Sequence, residues 1–471
     1  MLLTAVWLVA CCLLPTGSPG LSDTLDMQLI ATIPAAGKLA FPCADADRNG
    51  RKELYLHEWV SGGNRPVAYE YAGGNQFDRI PLNAPSGASS WAAGFLDDDD
   101  RLDLLVQLRH SSDPAALEAR AGGVFPDSLV WWDTVGRATW QFSRTMDLTQ
   151  DGRLEFTTMF GRSPPGHRAL YKATGDNRYE QVGYFKALPP ERVGRIVHDM
   201  VMTHDMDGNG KPEVVGGTSE GWAAFFEWRN DSVEFVTACS LRFEQSTLMT
   251  VGAMRDADGD GRPEAVIYGS DWFDDIGTLW VLEAVAPDSY DVVWTEQLVA
   301  PAYFGPALAV GDLTGDGKDE FAVTTGDRIV VYHCVGSDSY EVLWQRAYSS
   351  NHYAIGVCDV TSNGRAELLL HENDWLTGVY AWLPVSVAER ARQRLAAVAL
   401  EPSVVRVGAN VRLVGLPETA GVSLLDATGR VVRSVEVRGG HLGTRGLRAG
   451  TYFLRVESGP HAAHHKLLVV N

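Results

Sequence analysis

Asp256, Asp258, Asp260 and Glu264 stand at positions 1, 3, 5 and 9 of a nine-residue stretch whose sixth residue is Gly261. Alternate oxygen-bearing side chains converge on one point when glycine at position 6 permits a sharp reversal. Protein oxygens are gathered around a hard divalent cation such as calcium in this way. The pattern returns as Asp45, Asp47, Asn49 and Glu53 about Gly50, and as Asp205, Asp207, Asn209 and Glu213 about Gly210. Three further copies carry threonine at position 3: Asp147, Thr149, Asp151 and Glu155; Asp312, Thr314, Asp316 and Glu320; Asp359, Thr361, Asn363 and Glu367. A backbone carbonyl at position 7 and the carboxylate at position 9 are expected to complete each shell. Asp, Asn and Gly are also ordinary turn formers, but turn propensity alone does not explain six copies at similar spacing. Asp97-Asp-Asp99-Asp100-Arg-Leu-Asp103 reads as a shortened, glycine-free relative, and no ion site is carried onto it. Loop 256–264, with four carboxylates, is expected to bind tightest, and loop 359–367, with only Asp359 and Glu367, weakest.

An EF-hand needs a bidentate glutamate at position 12 and a helix after it. Here position 12 is Leu56, Thr158, Gly216, Ile267, Val323 or Leu370, and the segments after the loops are strand-like, as in Glu264-Ala-Val-Ile-Tyr268 and Glu367-Leu-Leu-Leu370. The loops therefore join strands. Their starts, at 45, 97, 147, 205, 256, 312 and 359, lie 47 to 58 residues apart, room for four short strands and their turns. Self-similarity at that period predicts a β-propeller rather than a helical solenoid. Asp288-Ser-Tyr-Asp-Val-Val-Trp294 and Asp338-Ser-Tyr-Glu-Val-Leu-Trp344 read as the same outer strand in successive blades. No such strand follows the last loop, whereas Met27-Gln-Leu-Ile-Ala-Thr-Ile33 precedes the first. Residues 27–33 are predicted to complete the seventh blade, closing the ring without a long exposed edge.

The repeats resemble FG-GAP/VCBS repeats, the family that builds integrin α-subunit-type propellers. The sixth repeat carries Phe304-Gly305-Pro306-Ala307 ahead of Val310-Gly-Asp312-Leu-Thr-Gly-Asp-Gly317. The resemblance covers roughly residues 25–385. It implies an all-β, seven-bladed propeller with calcium in the loop between the first and second strands of a blade. Residues 386–398 then read as a linker, and 399–471 as a small Ig-like β-sandwich of short alternating strands. Asp426-Ala-Thr-Gly-Arg-Val-Val432, Ala449-Gly-Thr-Tyr-Phe-Leu-Arg-Val456 and Lys466-Leu-Leu-Val-Val470 resemble the C-terminal sorting domain of the type IX secretion system. The usual Asn-Pro opening is replaced by Glu401-Pro402. The resemblance implies the secretion machinery as a partner and a secreted or outer-surface location on a bacterium.

Over 471 residues the chain is 45% hydrophobic and 21% charged, with a formal net charge of -20. That length accommodates a repeat array and a further domain, and the acidity argues against a nucleic-acid partner. Residues 387–471 hold twelve Lys/Arg and six Asp/Glu, so the remainder carries about -26, much of it in the loops, where a bound cation offsets it. Residues 1–20 read as a signal peptide: the apolar run 2–14 is too short to span a bilayer, and Thr16, Gly17 and Ser18 suit cleavage. No Lys or Arg precedes that run, and Leu8-Val-Ala-Cys11 also resembles a lipoprotein box. No transmembrane span is expected after leader removal. Cys43, Cys239, Cys334 and Cys358 lack CxxC spacing. Buried free thiols are the expectation, with a Cys43–Cys358 disulfide as the alternative, since both residues precede loops in the first and last repeats.

Catalytic signals are few. Gly217-Thr-Ser219-Glu-Gly221 has the string of a nucleophile elbow, but an elbow needs a strand-to-helix turn and strand-like segments flank this one. His57-Glu58-Trp59 and His371-Glu372 with Trp375 follow equivalent strands and read as repeat homology, and His464-His465 as surface. The favoured function is a secreted or surface propeller that binds a protein or polysaccharide ligand. The alternative is a polysaccharide lyase or hydrolase on the same scaffold, which fold alone does not exclude. Fourteen Trp and fifteen Tyr leave sugar stacking open. Extracellular calcium modules bind with Kd of about 10⁻⁴–10⁻³ M, so at about 1 mM calcium each site adds roughly 0.4–1.4 kcal/mol.

Overall fold

The computed structural model describes residues 25–36, 41–108, 114–133, 145–159, 168–185, 196–241, 247–271, 276–299, 307–347, 355–384 and 399–470, less single positions and short loops inside these ranges. Residues 1–20, Cys11, the 386–398 linker, residues 304–306, Ser219 and Trp375 lie outside them. All regular elements among the described residues are strands. The chain divides into two compact units, Met27–Trp382 and one that includes Leu383–Asn471.

Among the described residues the first unit contains seven four-stranded antiparallel sheets. In chain order they are sheet 1 (43–81), sheet 2 (88–132), sheet 3 (145–185), sheet 4 (196–240), sheet 5 (247–299), sheet 6 (307–347) and sheet 7 (355–384 with 25–33). Second and third strands are near-continuous apolar runs because both of their faces are covered. Val214–Thr218 is buried at every residue, as are Leu54, Tyr55 and Leu56. Fourth strands are partly exposed, as in Gln76–Pro81 and Ser339–Ala347. Asn75, Asn177, Asp288 and Asp338 take positive φ in the turns between third and fourth strands, where Asn and Asp tolerate the left-handed region that tight hairpins demand.

Each sheet shares a buried core with its neighbour. Tyr55 and Ala68 of sheet 1 pack with Leu104 and Leu117 of sheet 2; Leu105 and Ala116 with Phe156 and Tyr171 of sheet 3; Leu170 and Phe185 with Val214 and Phe226 of sheet 4. Val215 and Phe225 meet Ile267 and Trp280 of sheet 5, and Val266 and Tyr268 meet Phe321 and Tyr332 of sheet 6. Glycine permits the closest approaches: a Cβ on Gly252 lies 2.4 Å from Val310, and one on Gly311 lies 2.5 Å from Val357 of sheet 7. The series returns on itself, since Leu369 and Val379 of sheet 7 share a cluster with Leu54, Leu56 and Val67 of sheet 1. Leu25–Ile33 pairs with Leu376–Pro384 as the outer strand of sheet 7, as the pattern of residues 27–33 predicts.

The expectation of buried free thiols is corrected at one pair. Cys43 and Cys358 form a disulfide spanning 315 residues, with Cα atoms 7.0 Å apart, because the strands that carry them belong to adjacent first and last sheets. Cys239 and Cys334 are free.

In the second unit a five-stranded sheet (Val404–Arg406, His461–Val470, Gly450–Ser458, Gly421–Asp426, Val431–Val435) and a three-stranded one (Ala399–Glu401, Asn410–Val414, His441–Gly443) enclose one core. Val411, Leu413 and Leu442 from the smaller sheet meet Val422, Leu424, Leu454 and Leu467 from the larger.

Candidate metal centres

Every nine-residue loop joins the first and second strands of its sheet, and the six complete copies share one hydrogen-bond scheme. The N–H of the glycine at position 6 donates to the position-1 aspartate at 2.8–3.1 Å in all of them. The N–H of residue 7 donates to the side-chain oxygen at position 5 at 2.7–3.1 Å. These are Asx turns, and they require φ between +84° and +97° at position 6, hence glycine.

The position-9 glutamate curls back under its loop. One carboxylate oxygen accepts the N–H of residue 2, from Ala46, Leu148, Met206, Ala257, Leu313 or Val360, at 2.7–3.0 Å. All six glutamates are 2% exposed or less. Burial pushes Glu53 and Glu213 up to about 7 and Glu264 up to about 8, and the neighbouring aspartates add to the effect. Glu155, Glu320 and Glu367 are raised as well, again mainly by burial. Hydrogen bonds from the Thr149 and Thr361 hydroxyls, and from His333 to Glu320, act against it.

The expected register of the second repeat is corrected. Leu96 donates its N–H to Asp103 at 3.2 Å, as residue 2 does to residue 9 elsewhere, and Arg101 donates to Asp99 at 2.9 Å, as residue 7 does to residue 5. Asp100 takes φ 64° where the other loops have glycine. The loop is thus full length and runs from Phe95 to Asp103, with Asp97 at position 3. It lacks only the carboxylate of position 1.

Calcium–oxygen distances of 2.3–2.6 Å place any two ligands of one ion within about 5 Å of each other. Side-chain oxygens of Asp45, Asp47 and Glu53 lie within 4.8 Å of one another, as do those of Asp205, Asp207 and Glu213, of Asp147, Asp151 and Glu155, and of Asp97, Asp99 and Asp176. In loop 312–320 Asp316, Glu320 and His333 are drawn together, and the two oxygens of Asp312 accept the N–H groups of Gly315 and Gly317. In loop 359–367 the Glu367 carboxylate is taken up by the Thr361 hydroxyl at 2.7 Å and by Asn363. Buried oxygens without a hydrogen-bond partner include Glu53 Oε1, Asp147 Oδ1 and Asp205 Oδ1.

Two contributors escape the linear motif. The first is the third-strand residue across the ladder from position 9: Glu53 faces Glu70, and the same registers place Glu118, Lys172, Glu227, Glu283, His333 and Ala381 opposite the other loops. The second is a latch from the next sheet, where a residue at a third-to-fourth-strand turn donates its N–H to the position-3 aspartate and a tyrosine two residues on reaches position 9. Asn177 and Tyr179 do so to Asp97 and Asp103 at 2.7 and 2.8 Å, and Asp288 and Tyr290 to Asp207 and Glu213 at the same distances. Asp338 and Tyr340 reach Asp258 and Glu264 at 3.2 and 3.4 Å. The paired Asp-Ser-Tyr segments of the sequence are these latches. Neighbouring loops also touch through Arg48–Asp100, Arg153–Asp98 and Arg255–Asp319, at 3.1, 2.9 and 2.7 Å.

At the histidine-containing strand ends the glutamates are paired. Glu58 is held by Arg79 at 2.6 Å and by Tyr69, and Glu372 by Arg346 at 3.1 Å and by Tyr380.

An all-β, propeller-like protein with repeated acidic loops between the first and second strands of its sheets is the class these features define. The FG-GAP repeat family matches residues 304–332, within the sixth repeat. No curated protein matches the sequence. Among solved structures, the chain is similar to PorZ, described as an essential bacterial surface component of the type IX secretion system of Porphyromonas gingivalis. The identity is 13% and the TM-score 0.39, over 93% of this chain and 60% of that one. This chain therefore spans less than two thirds of that protein's length, and a likeness at that level carries no assignment of function. No helix is long and apolar enough to cross a membrane among the described residues.

Proposed function

We propose that the chain is a calcium-stabilised, seven-bladed propeller, secreted or held at the outer surface of a bacterium, that binds a protein or polysaccharide ligand. Its C-terminal sandwich acts as an Ig-like sorting domain for the type IX secretion machinery. The observation that carries the calcium reading is Glu53. Its side chain is fully buried, Oε1 has no hydrogen-bond partner, and oxygens of Asp45 and Asp47 lie within 4.8 Å of its carboxylate. A buried orphan oxygen among like charges is costly, and a divalent cation there supplies the missing partner and neutralises its neighbours. Asp45, Asp47, Asn49 and Glu53 would hold it, as Asp205, Asp207, Asn209 and Glu213 would in sheet 4 and Asp256, Asp258, Asp260 and Glu264 in sheet 5.

The Cys43–Cys358 disulfide supports an oxidising, extracytoplasmic setting. Trp59 and Trp132, 59% and 51% exposed, support a binding role, because exposed indoles stack on sugars or enter protein pockets. The test is a thermal melt of the full chain with millimolar calcium and with chelator, followed by a glycan and protein binding screen under both conditions. Calcium should raise the melting temperature by several degrees and strengthen any ligand captured. An unchanged melt removes the calcium reading, and glycan cleavage in the screen replaces binding with catalysis.

A further inference from the structure

The seven loops differ in a correlated way. Where position 3 is aspartate (Asp47, Asp97, Asp207, Asp258) the third-strand residue facing position 9 is glutamate (Glu70, Glu118, Glu227, Glu283). Where position 3 is threonine it is Lys172, His333 or Ala381. The two positions lie far apart in the chain but flank the same loop, as where Asn49 donates to both Asp47 and Glu70 at 2.9 and 2.8 Å, and their carboxylates are present together or absent together.

In loop 147–155 the reason is visible. The Lys172 ammonium stands 2.6 Å from Asp151 Oδ2, 2.7 Å from Thr149 Oγ1 and 3.6 Å from Glu155 Oε1. Its donors are directed at three of the side chains that the spacing assigns to an ion. Only Asp147 Oδ1 is left without a hydrogen-bond partner. In loop 45–53 the corresponding place is bordered by Glu70, and the fully buried Glu53 keeps an unpartnered oxygen.

We propose that Lys172 is a built-in cation that takes the place of the divalent ion in loop 147–155, so that the facing third-strand residue decides which loops bind metal. The proposal rests on the calcium reading above for the aspartate-type loops. A lysine suits the task because its charge sits on a flexible stem and its three N–H donors can be shared among oxygen acceptors. A dication beside the ammonium meets like charge at close range in a partly buried site. Threonine at position 3 fits the same arrangement, since a neutral hydroxyl both accepts from the ammonium and donates to Glu155, at 2.7 Å each.

The test is calcium stoichiometry by titration calorimetry on the full, folded chain. Asp147→Asn in the wild-type background should leave the number of bound ions unchanged, whereas Asp207→Asn should reduce it by one. The double exchange T149D/K172E, which writes the sheet-5 pattern into sheet 3, should add one ion. Lys172→Met should lower the melting temperature in chelator, with calcium recovering the loss beyond the wild-type shift. If ions bind but Asp147→Asn removes one, or if neither Lys172 variant takes up a further ion, the proposal is overturned while the calcium reading stands. If the wild-type chain binds no ion at all, the calcium reading falls and the proposal with it.

Discussion

Glu264 shows how one side chain closes a loop and sets its pH response. It accepts N–H groups from Ala257 and Asp258 while buried to 2% exposure, close to Asp256 and Asp258. Burial raises Glu264 to about 8 and Glu53 and Glu213 to about 7. A carboxyl whose folded value lies above its unfolded one favours the protonated fold. The stability it contributes is complete below the ordinary glutamate range and is lost as pH rises through about 7 to 8. In chelator the melting temperature should therefore fall between about pH 5 and pH 8.5. Saturating calcium should flatten that slope, and calorimetry in buffers of different ionisation enthalpy should register protons released on binding. A metal-free melting temperature that rises over this range contradicts the assignment. Single-residue chemistry of this kind is largely legible in the sequence, because positions 1, 3, 5, 6 and 9 recur at fixed spacing. The second repeat is less so, because Asp100 adopts the positive φ that glycine marks elsewhere, which shifts the apparent start by two residues.

Between sheets, contact is made by pieces that no linear motif joins. Tyr290 belongs to sheet 5 yet donates its hydroxyl to Glu213 of sheet 4 at 2.8 Å, both groups being buried. Tyr290→Phe should cost about 1–3 kcal/mol, the range for leaving a buried polar group unsatisfied, read as a lower denaturant midpoint. Gly311 meets the Val357 side chain so closely that in Gly311→Ala either that side chain or its strand must shift. That substitution should cost about 1–3 kcal/mol through overpacking, and unchanged stability would show that the contact has slack. The sequence displays the Asp-Ser-Tyr segments but not their partners, since a partner 77 residues away is set by which sheet packs on which. Lys172, Glu227 and Glu283 escape a reading of the sequence for a related reason: their place opposite position 9 depends on hairpin lengths that differ from sheet to sheet.

Across the whole first unit, two devices tie the ends together, the pairing of Leu25–Ile33 with Leu376–Pro384 and the Cys43–Cys358 bond. Cross-linking residues 315 apart restricts the unfolded chain strongly, so the double change of Cys43 and Cys358 to serine should cost about 2–5 kcal/mol. Reductant should lower the melting temperature of the wild-type protein alone. Removing residues 25–33 strips sheet 7 of its outer strand and should lower the melting temperature further, with exposed dye-binding surface as a second readout. The strand is foreseeable from the missing outer segment after the last loop. The disulfide is legible only as an alternative: Cys43 and Cys358 stand at equivalent places in the first and last repeats, but cysteine spacing alone does not give the distance between sheets whose series returns on itself.

That arrangement also makes the two ends of the unit depend on each other. Leu25–Ile33 precedes every other strand of the unit in the chain, yet its hydrogen-bonding partner is the last of them, Leu376–Pro384, so pairing that edge requires the whole unit. The sheet that holds the beginning of the unit is thus the one that needs its end, and a chain lacking residues 376–384 lacks the partner of its first strand. The bond between Cys43 and Cys358 is made from the first strand of that last sheet, so it fastens sheet 7 to sheet 1 without involving the outer strand that completes it.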